Sequence, residues 1–407
     1  MEENKKIFNL VYDNWDDTSN TPVPNTKNVF GDEIHFYIDS YGIVDHWVNI
    51  SKRDSKFKIK KCKIEDVAKY PDQNFYYMVG VYVRILRDFL SGKSPLNETV
   101  LHYLKNYKNF KVIFHSEHEA DDYECYLKLI EYIKEYDLNE EQFYLINNNA
   151  KLDEYKIKVP SKINVHSIQF VPSSSTIVLE NLGGCDFIDE KSGKFFMCFN
   201  RSPKLHRICL LGLMHKNGLL QETNWSFIPH HPPTLSAENF SSLFNILEYE
   251  DLKNDIDKII YTKIKHSDYE ADKNWFSEYS EFNRTGLPIW MLNPDLVKNY
   301  QESYFNIVTE SHFEDYLDTI HISEKSFKPF YYYQFPMILA SHNHIKKMKE
   351  RYDLDFFDDI INHDYDNETN QRKRIMKFID EIIRINKNKE NCTTRKRLYF
   401  FRKFDLI

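Results

Sequence analysis

Residues 304–311 read YFNIVTES, residues 322–330 read ISEKSFKPF and residues 334–340 read QFPMILA. The outer two are short runs of β-branched, aromatic and other apolar residues, the pattern of strands buried on both faces. Between them, Ser323 is an N-cap residue type and Glu324 falls in the first turn, where a carboxylate is favoured. ISEKSFKPF therefore starts a short helix, with Phe327, Phe330 and Tyr331 turned inward. Strand, helix, strand in this order is the repeating unit of a parallel sheet. The helix N-terminus then opens at the carboxyl edge of the sheet, where α/β proteins gather their ligands.

The same alternation extends in both directions. Upstream, FFMCFN (195–200) reads as a strand, PKLHRICLLGLMHK (203–216) as a helix and TNWSFIPH (223–230) as a strand, with helices near 236–247 and 251–264. Downstream, NHIKKMKERY (343–352) and a segment near 371–387 have helical spacing. In the first half, EIHFYID (33–39) reads as a strand ending in Asp39. KFKIKKCK (56–63) reads as a strand with one basic face, and FKVIFHS (110–116) and QFYLINNN (142–149) as strands ending in polar clusters. NFYYMVGVYVRILRDFL (74–90), ETVLHYLKNY (98–107) and EADDYECYLKLIEYIKEY (119–136) read as helices, the last with Tyr123, Tyr126, Leu127 and Ile130 on one stripe. Residues 1–30, rich in Asn, Asp, Thr and Pro, read as an irregular lead-in.

A chain of 407 residues is too long for one ordinary core. The Ser- and Gly-rich stretch at 171–194 is the natural break. The expected organisation is α/β, with two Rossmann-like doubly wound domains facing a cleft: residues 1–170, a linker at 171–194, residues 195–390, and a tail at 391–407 that docks back on the first domain. With 42% hydrophobic and 29% charged residues the chain is globular. A net charge of −8 disfavours whole-molecule attraction to nucleic acid. The six cysteines form neither a CxxC pair nor a zinc-finger spacing, which suits a reducing compartment. The N-terminus lacks an apolar signal region, and no apolar run approaches the ~20 residues of a membrane span. These features predict a cytoplasmic protein, or one made in the cytoplasm of a host.

There is no GxGxxG, and SGKS at 91–94 lacks the earlier glycine of a P-loop, Arg87 standing in its place. What remains is a set of charges at predicted strand ends. Arg201, Lys204 and Arg207 surround the start of the 203–216 helix, where backbone N–H groups and cationic side chains together suit a pyrophosphate. A solvated basic turn is the alternative. Glu310 ends one strand and Glu324 opens the helix beyond it, both suited to ribose hydroxyls, and Lys325 suits a phosphate. Good capping over a buried stripe is the alternative reading of Ser323 and Glu324.

The order YFNIVTES, HFEDY (312–316), ISEKSFKPF, FPMIL resembles the donor region of GT-B glycosyltransferases, and the α1,3-fucosyltransferase family in particular. There a strand ending in Phe-Glu-Asn-Ser precedes Asp-Tyr, Thr-Glu-Lys-Leu-Trp and a Pro-Val-Val-Leu strand. Here Glu310 and Ser311 match the first motif, Asp315 and Tyr316 the second, Ser323, Glu324 and Lys325 the third, and Pro336–Leu339 the fourth, with a longer spacer before Ser323. The block is also similar to phage, giant-virus and bacterial glycosyltransferase-like proteins, in which an aromatic-Asp strand and a Tyr-Asp pair follow; DFFDD (355–359) and DYDN (364–367) resemble these. The likeness covers roughly residues 303–342 and is weaker around FNRSPKLHR (199–207).

The resemblance implies a transferase that moves a sugar from a nucleoside-diphosphate sugar to an acceptor hydroxyl, inverting the anomeric centre, with no cofactor and no essential metal. Arg201, Lys204, Arg207 and the helix N-termini would offset charge on the leaving diphosphate. A first-domain carboxylate would be the general base. Glu117, after IFHS, is the first choice and Asp39 the second. The acceptor is a glycan or another hydroxyl compound. DNA carrying hydroxylated bases is the alternative acceptor, through the basic runs at 52–63 and 395–403. A sugar-nucleotide-binding protein without catalysis is the remaining alternative. Nothing in the residues names the sugar.

Overall fold

The computed structural model describes residues 6–12, 57–80, 92–116, 123–167, 194–200, 204–227, 252–256, 258, 299–313 and 318–389. The chain divides into two compact units, Met1–Gln169 with Leu317–Thr319, and Phe170–Tyr316 with Ile320–Ile407. Both are α/β with parallel sheets. No helix among the described residues is long and apolar enough to cross a membrane. The expected 171–194 linker, apart from Lys194, lies outside the described residues, as do the strand at 33–39 and the tail at 391–407.

The first unit holds six parallel strands: β1 (Lys6–Tyr12), β2 (Phe57–Lys63), β3 (Phe75–Gly80), β4 (Phe110–Ser116), β5 (Phe143–Asn147) and β6 (Asn164–Ser167). Their order is β2-β1-β3-β4-β5-β6. The connecting helices include α1 (Asp66–Lys69), α2 (Glu98–Asn106), α3 (Tyr123–Glu135) and α4 (Leu152–Lys158). Asn97 caps α2, its side-chain oxygen accepting the Val100 N–H at 2.9 Å. The core sets Val11, Phe75, Val112, Phe114, Phe143 and Leu145 of the strands with Val100, Leu104, Leu129, Ile133 and Tyr155 of the helices. Asp318 belongs to this unit, where Lys151 and Lys158 each reach its carboxylate at 2.7 Å.

Three sequence expectations are corrected here. Residues 6–12, read as part of an irregular lead-in, form β1, paired with both β2 and β3. Residues 75–80, read as the start of a buried helix, form β3, which is paired on both sides by β1 and β4. A strand covered on both faces carries a continuous apolar run, and such a run has no period to tell it from a helix. On α3 the buried face is Cys125, Tyr126, Leu129, Ile130, Tyr132 and Ile133, whereas Tyr123 and Leu127 are only half-buried. The basic run at 57–63 is β2, which among the described residues pairs only with β1. Lys60 and Lys63 are exposed along it, and lysines on an edge strand oppose pairing with a further chain.

The second unit holds β7 (Phe196–Asn200), β8 (Thr223–Phe227), β9 (Phe305–Thr309) and β10 (Phe335–Leu339), all parallel in the order β10-β9-β7-β8. With them are α5 (Leu205–Lys216), α6 (Glu324–Tyr331), α7 (His344–Tyr352) and α8 (Gln371–Lys387). Every residue of β9 and β10 is buried, as the two apolar runs required. Pro336 is tolerated because, among the described residues, β10 has β9 as its one neighbour, so a missing N–H costs no ladder bond on the other side. Helix α5 is buried over nine residues from His206 to Met214.

The two sheets are wound alike. In each, the second strand lies beside the first on one side and the third lies beside the first on the other. The order reverses between first and third strands, and the crevice outside their carboxyl ends is the place where such sheets bind ligands. In the second unit this point lies beyond Asn200 of β7 and Thr309 of β9.

Helix α5 also tests the packing of this unit. A Cβ added at Gly212 would stand 2.9 Å from Ile256 Cγ1 and 3.4 Å from Leu252 Cγ. Gly212→Leu is expected to cost about 1–3 kcal/mol through overpacking, despite its gain in helix propensity. Chemical denaturation should show a lower midpoint. An unchanged midpoint would mean that the 252–256 segment does not press on α5.

Candidate functional site

The reversal point of the second sheet is tied together by side chains. Asn200 Oδ1, at the end of β7, accepts a hydrogen bond from Thr309 Oγ1 at the end of β9. The chain then turns at Glu310, whose N–H donates to Leu339 O of β10 at 3.0 Å. The ends of β7, β9 and β10 are thus joined through Thr309 and Glu310.

Glu310 is fully enclosed, with 0% of its surface exposed. Its carboxylate accepts from the Ser311 N–H at 3.1 Å, the Ser323 N–H at 3.1 Å, Ser323 Oγ at 2.7 Å and Ser326 Oγ at 2.5 Å. Burial alone would raise its pKa. The nearby Lys325 charge, His344, His321 and the Ser326 bond outweigh burial and hold the carboxyl well below the usual range. This is a buried charge compensated by hydrogen bonds and a cation, the condition for keeping it ionised inside a protein.

The consequence is felt at α6. Ser323 is its N-cap, with a side chain that accepts from the Lys325 N–H at 3.2 Å. The same Oγ accepts from Lys325 Nζ at 3.2 Å. The helix start, and Lys325 with it, is therefore fixed to the end of β9 through Glu310. Glu324 is the first residue of α6, and its side chain lies outside the described residues.

The neighbouring helix α5 begins on the other side of the reversal point. Lys204 is its N-cap residue and no side chain caps it. Lys204 Nζ donates to Ser311 O at 2.6 Å, which brings this cation to the turn that carries Glu310. His206 is fully buried, donates from Nε2 to Glu310 O at 3.0 Å, and stacks on Phe313 with ring centres 4.9 Å apart. Burial and the Arg207 charge keep this histidine neutral, its pKa well below the ordinary value.

Two residues expected to meet the ligand do other work. Arg207 is 4% exposed, and its Nη2 donates to Thr309 O at 3.1 Å and Glu310 O at 3.4 Å. It braces the end of β9. Glu310 is bound to the start of α6, its oxygens occupied from within the unit. Lys204 and Lys325 stand at the same sheet edge, on Ser311 O and Ser323 Oγ. Arg201, Glu117 and Asp39 lie outside the described residues.

Sequence reasoning passed over the supports of this edge. Ser326 Oγ lies 3.0 Å from His344 Nε2, at the start of α7. His344 is fully buried, and its pKa is pushed down to about 4 by that burial, against the pull of Glu310. Asp366, from the DYDN segment, caps α7 by accepting the N–H groups of Ile345 and Lys346, each at 3.0 Å. Burial raises its pKa to about 6 even so. Arg374, 1% exposed, donates to Ala340 O at 3.0 Å and Phe313 O at 3.3 Å and lies over the Phe313 ring. The spacing Ser323–Ser326 was the one local signal for this network. Nothing local marks a histidine eighteen residues beyond Ser326 as its partner. Among the described residues no group of three or more His, Cys, Asp or Glu is placed to hold a metal ion.

The protonation states set the pH response. Glu310 is ionised more readily in the folded chain than at its ordinary 4.5, so its stabilisation is complete above that pH and is lost as the pH falls below it. His344 charges less readily than at its ordinary 6.5, so its contribution is complete above 6.5 and is lost as the pH falls through about 4. Glu310→Gln is expected to cost about 3 kcal/mol near neutral pH and to flatten the stability curve below pH 4.5, measured by urea denaturation across pH. His344→Gln, which keeps a donor for Ser326, is expected to remove the part of the slope between 6.5 and 4. Curves parallel to that of the parent would show that these groups do not titrate on unfolding. No protein-family model, curated protein or solved structure matches this chain.

Proposed function

We propose that the chain is a glycosyltransferase of the GT-B type, and that the carboxyl edge of its second sheet binds the diphosphate of a nucleoside-diphosphate sugar. The reading rests on one observation above the rest. Lys204 and Lys325 come from two different helix starts, and both are fastened to the Glu310–Ser311 turn and its Ser323 partner, at the reversal point of a parallel sheet. Two ammonium groups at a ligand-binding edge match the charge of a pyrophosphate.

Glu310 already sits against the start of α6, so the N–H groups there are a poor site for a second anion. Phosphate oxygens fall instead to the two lysines, to the uncapped start of α5 and to Arg201, which precedes it. Of the two acids expected to meet the ribose, Glu324 alone is left, since the Glu310 oxygens are taken. The lysines would stabilise the negative charge that grows on the leaving diphosphate as the glycosidic bond breaks. A carboxylate of the first unit would take the proton of the acceptor hydroxyl as it attacks from the opposite face. Glu117, one residue beyond β4, is assigned that role, with Asp39 as second choice. The acceptor in this reading is a glycan or a similar hydroxyl compound. DNA carrying hydroxylated bases, through the basic run at 52–63, is the alternative acceptor, and salt-sensitive DNA binding by that run would favour it.

A thermal-shift and titration panel of nucleoside diphosphates and their sugar conjugates tests the reading. At least one nucleoside diphosphate should bind the parent chain, and Lys325→Ala and Lys204→Ala should each weaken it about tenfold or more. Glu117→Ala should abolish sugar transfer and leave nucleotide affinity unchanged. A parent chain that binds none of the panel would contradict the proposal.

A further inference from the structure

Each hydroxyl in the Glu310 network has one proton to give, and this fixes the direction of every bond. Ser326 Oγ–H donates to Glu310 Oε1 at 2.5 Å, so the 3.0 Å contact between Ser326 Oγ and His344 must be donated by His344 Nε2–H. Ser323 Oγ–H donates to Glu310 Oε2 at 2.7 Å, so Ser323 Oγ receives the Lys325 ammonium at 3.2 Å. The bonds run from His344 to Ser326 to Glu310, and from Lys325 to Ser323 to the same carboxylate. His344, Ser326, Glu310 and Ser323 are each at most 3% exposed. We propose that His344 is a positioning residue, which aims the Lys325 ammonium at the ligand edge through Ser326, Glu310 and Ser323.

The imidazole has no contact with a ligand in this scheme. Its Nε2–H fills one of the two lone-pair directions of Ser326 Oγ, which favours the hydroxyl orientation that gives the Ser326 proton to Glu310. Without it, Ser326 can turn away, Glu310 loses its shortest bond, and the carboxylate is free to draw the Lys325 ammonium inward. The charge environment is mixed. Lys325 and His321 act on Glu310 as His344 does, and Asp366 caps α7 at the two residues after His344. The aim of Lys325 is thus set by hydrogen-bond direction within a balanced group of charges. The functional consequence rests on the glycosyltransferase reading; the geometric one does not.

The test uses the full chain, with lysines dimethylated by 13C-labelled formaldehyde and Lys325 assigned by its loss in Lys325→Arg. His344→Leu and Ser326→Ala should both shift the Lys325 resonance, whereas His344→Gln, which keeps a donor at the same reach, should leave it near the parent position. A resonance that stays put in both Ser326→Ala and a folded His344→Leu overturns the relay, and so does one displaced equally by Gln and Leu. Ser326→Ala keeps the test usable where His344→Leu does not fold. In the same variants, affinity for a nucleoside diphosphate should fall about tenfold for Leu and Ala and recover with Gln, with affinity for the bare nucleoside unchanged. Were the parent to bind no nucleotide while the resonances moved as expected, the relay would stand and the transferase reading would fall.

Discussion

A carboxylate with no exposed surface holds the second unit's sheet edge together. Glu310 stands where β9 ends, and its N–H is bound to the end of β10. Moving a lone carboxylate from water to such a place costs several kcal/mol. The chain offsets that cost with two backbone N–H groups, two serine hydroxyls and the Lys325 charge. All of these donors come from the segment 311–326. The charge therefore dictates where that segment returns to the sheet, where α6 begins and where Lys325 stands. Charge, cap and helix start are one arrangement, and none can be moved without the others.

Topology explains why the arrangement lies where it does. Parallel strands send all their carboxyl ends to one edge, and the reversal between β7 and β9 leaves the helices that follow them to diverge from that point. Helix α5 departs from one side carrying Lys204, and the turn after β9 leads to α6 from the other. The buried supports, His206, Arg207 and Arg374, donate to main-chain carbonyls of residues 309, 310, 313 and 340. They tie the edge to α5 and α8, while Lys204 and Lys325 bind Ser311 and Ser323 there.

Much of this was legible in the residues. The strands at 305–309 and 335–339, the helix from Glu324 and the last helix at 371–387 announce themselves through apolar runs, an N-cap serine and a sustained helical period. The strand at 75–80 did not, because both its faces are buried and its apolar run carries no period. The strand at 6–12 was hidden by the polar residues around it. At the site, residue types could be read but burial could not. A glutamate after a strand looks the same whether it faces a ribose or is closed in by serines, and Arg207 looks the same whether it meets phosphate or carbonyl oxygen. The difference is made by residues far along the chain, Ser326 and His344 among them. No local pattern records such a meeting.

The most direct measurement is a crystal structure of the chain with a nucleoside diphosphate soaked to saturation. The account predicts diphosphate oxygens within hydrogen-bond distance of Lys204 and Lys325, ribose hydroxyls on Glu324, and Glu310 still enclosed by Ser323 and Ser326. Phosphates bound elsewhere on the chain, or a Glu310 that opens to meet the ligand itself, would contradict it.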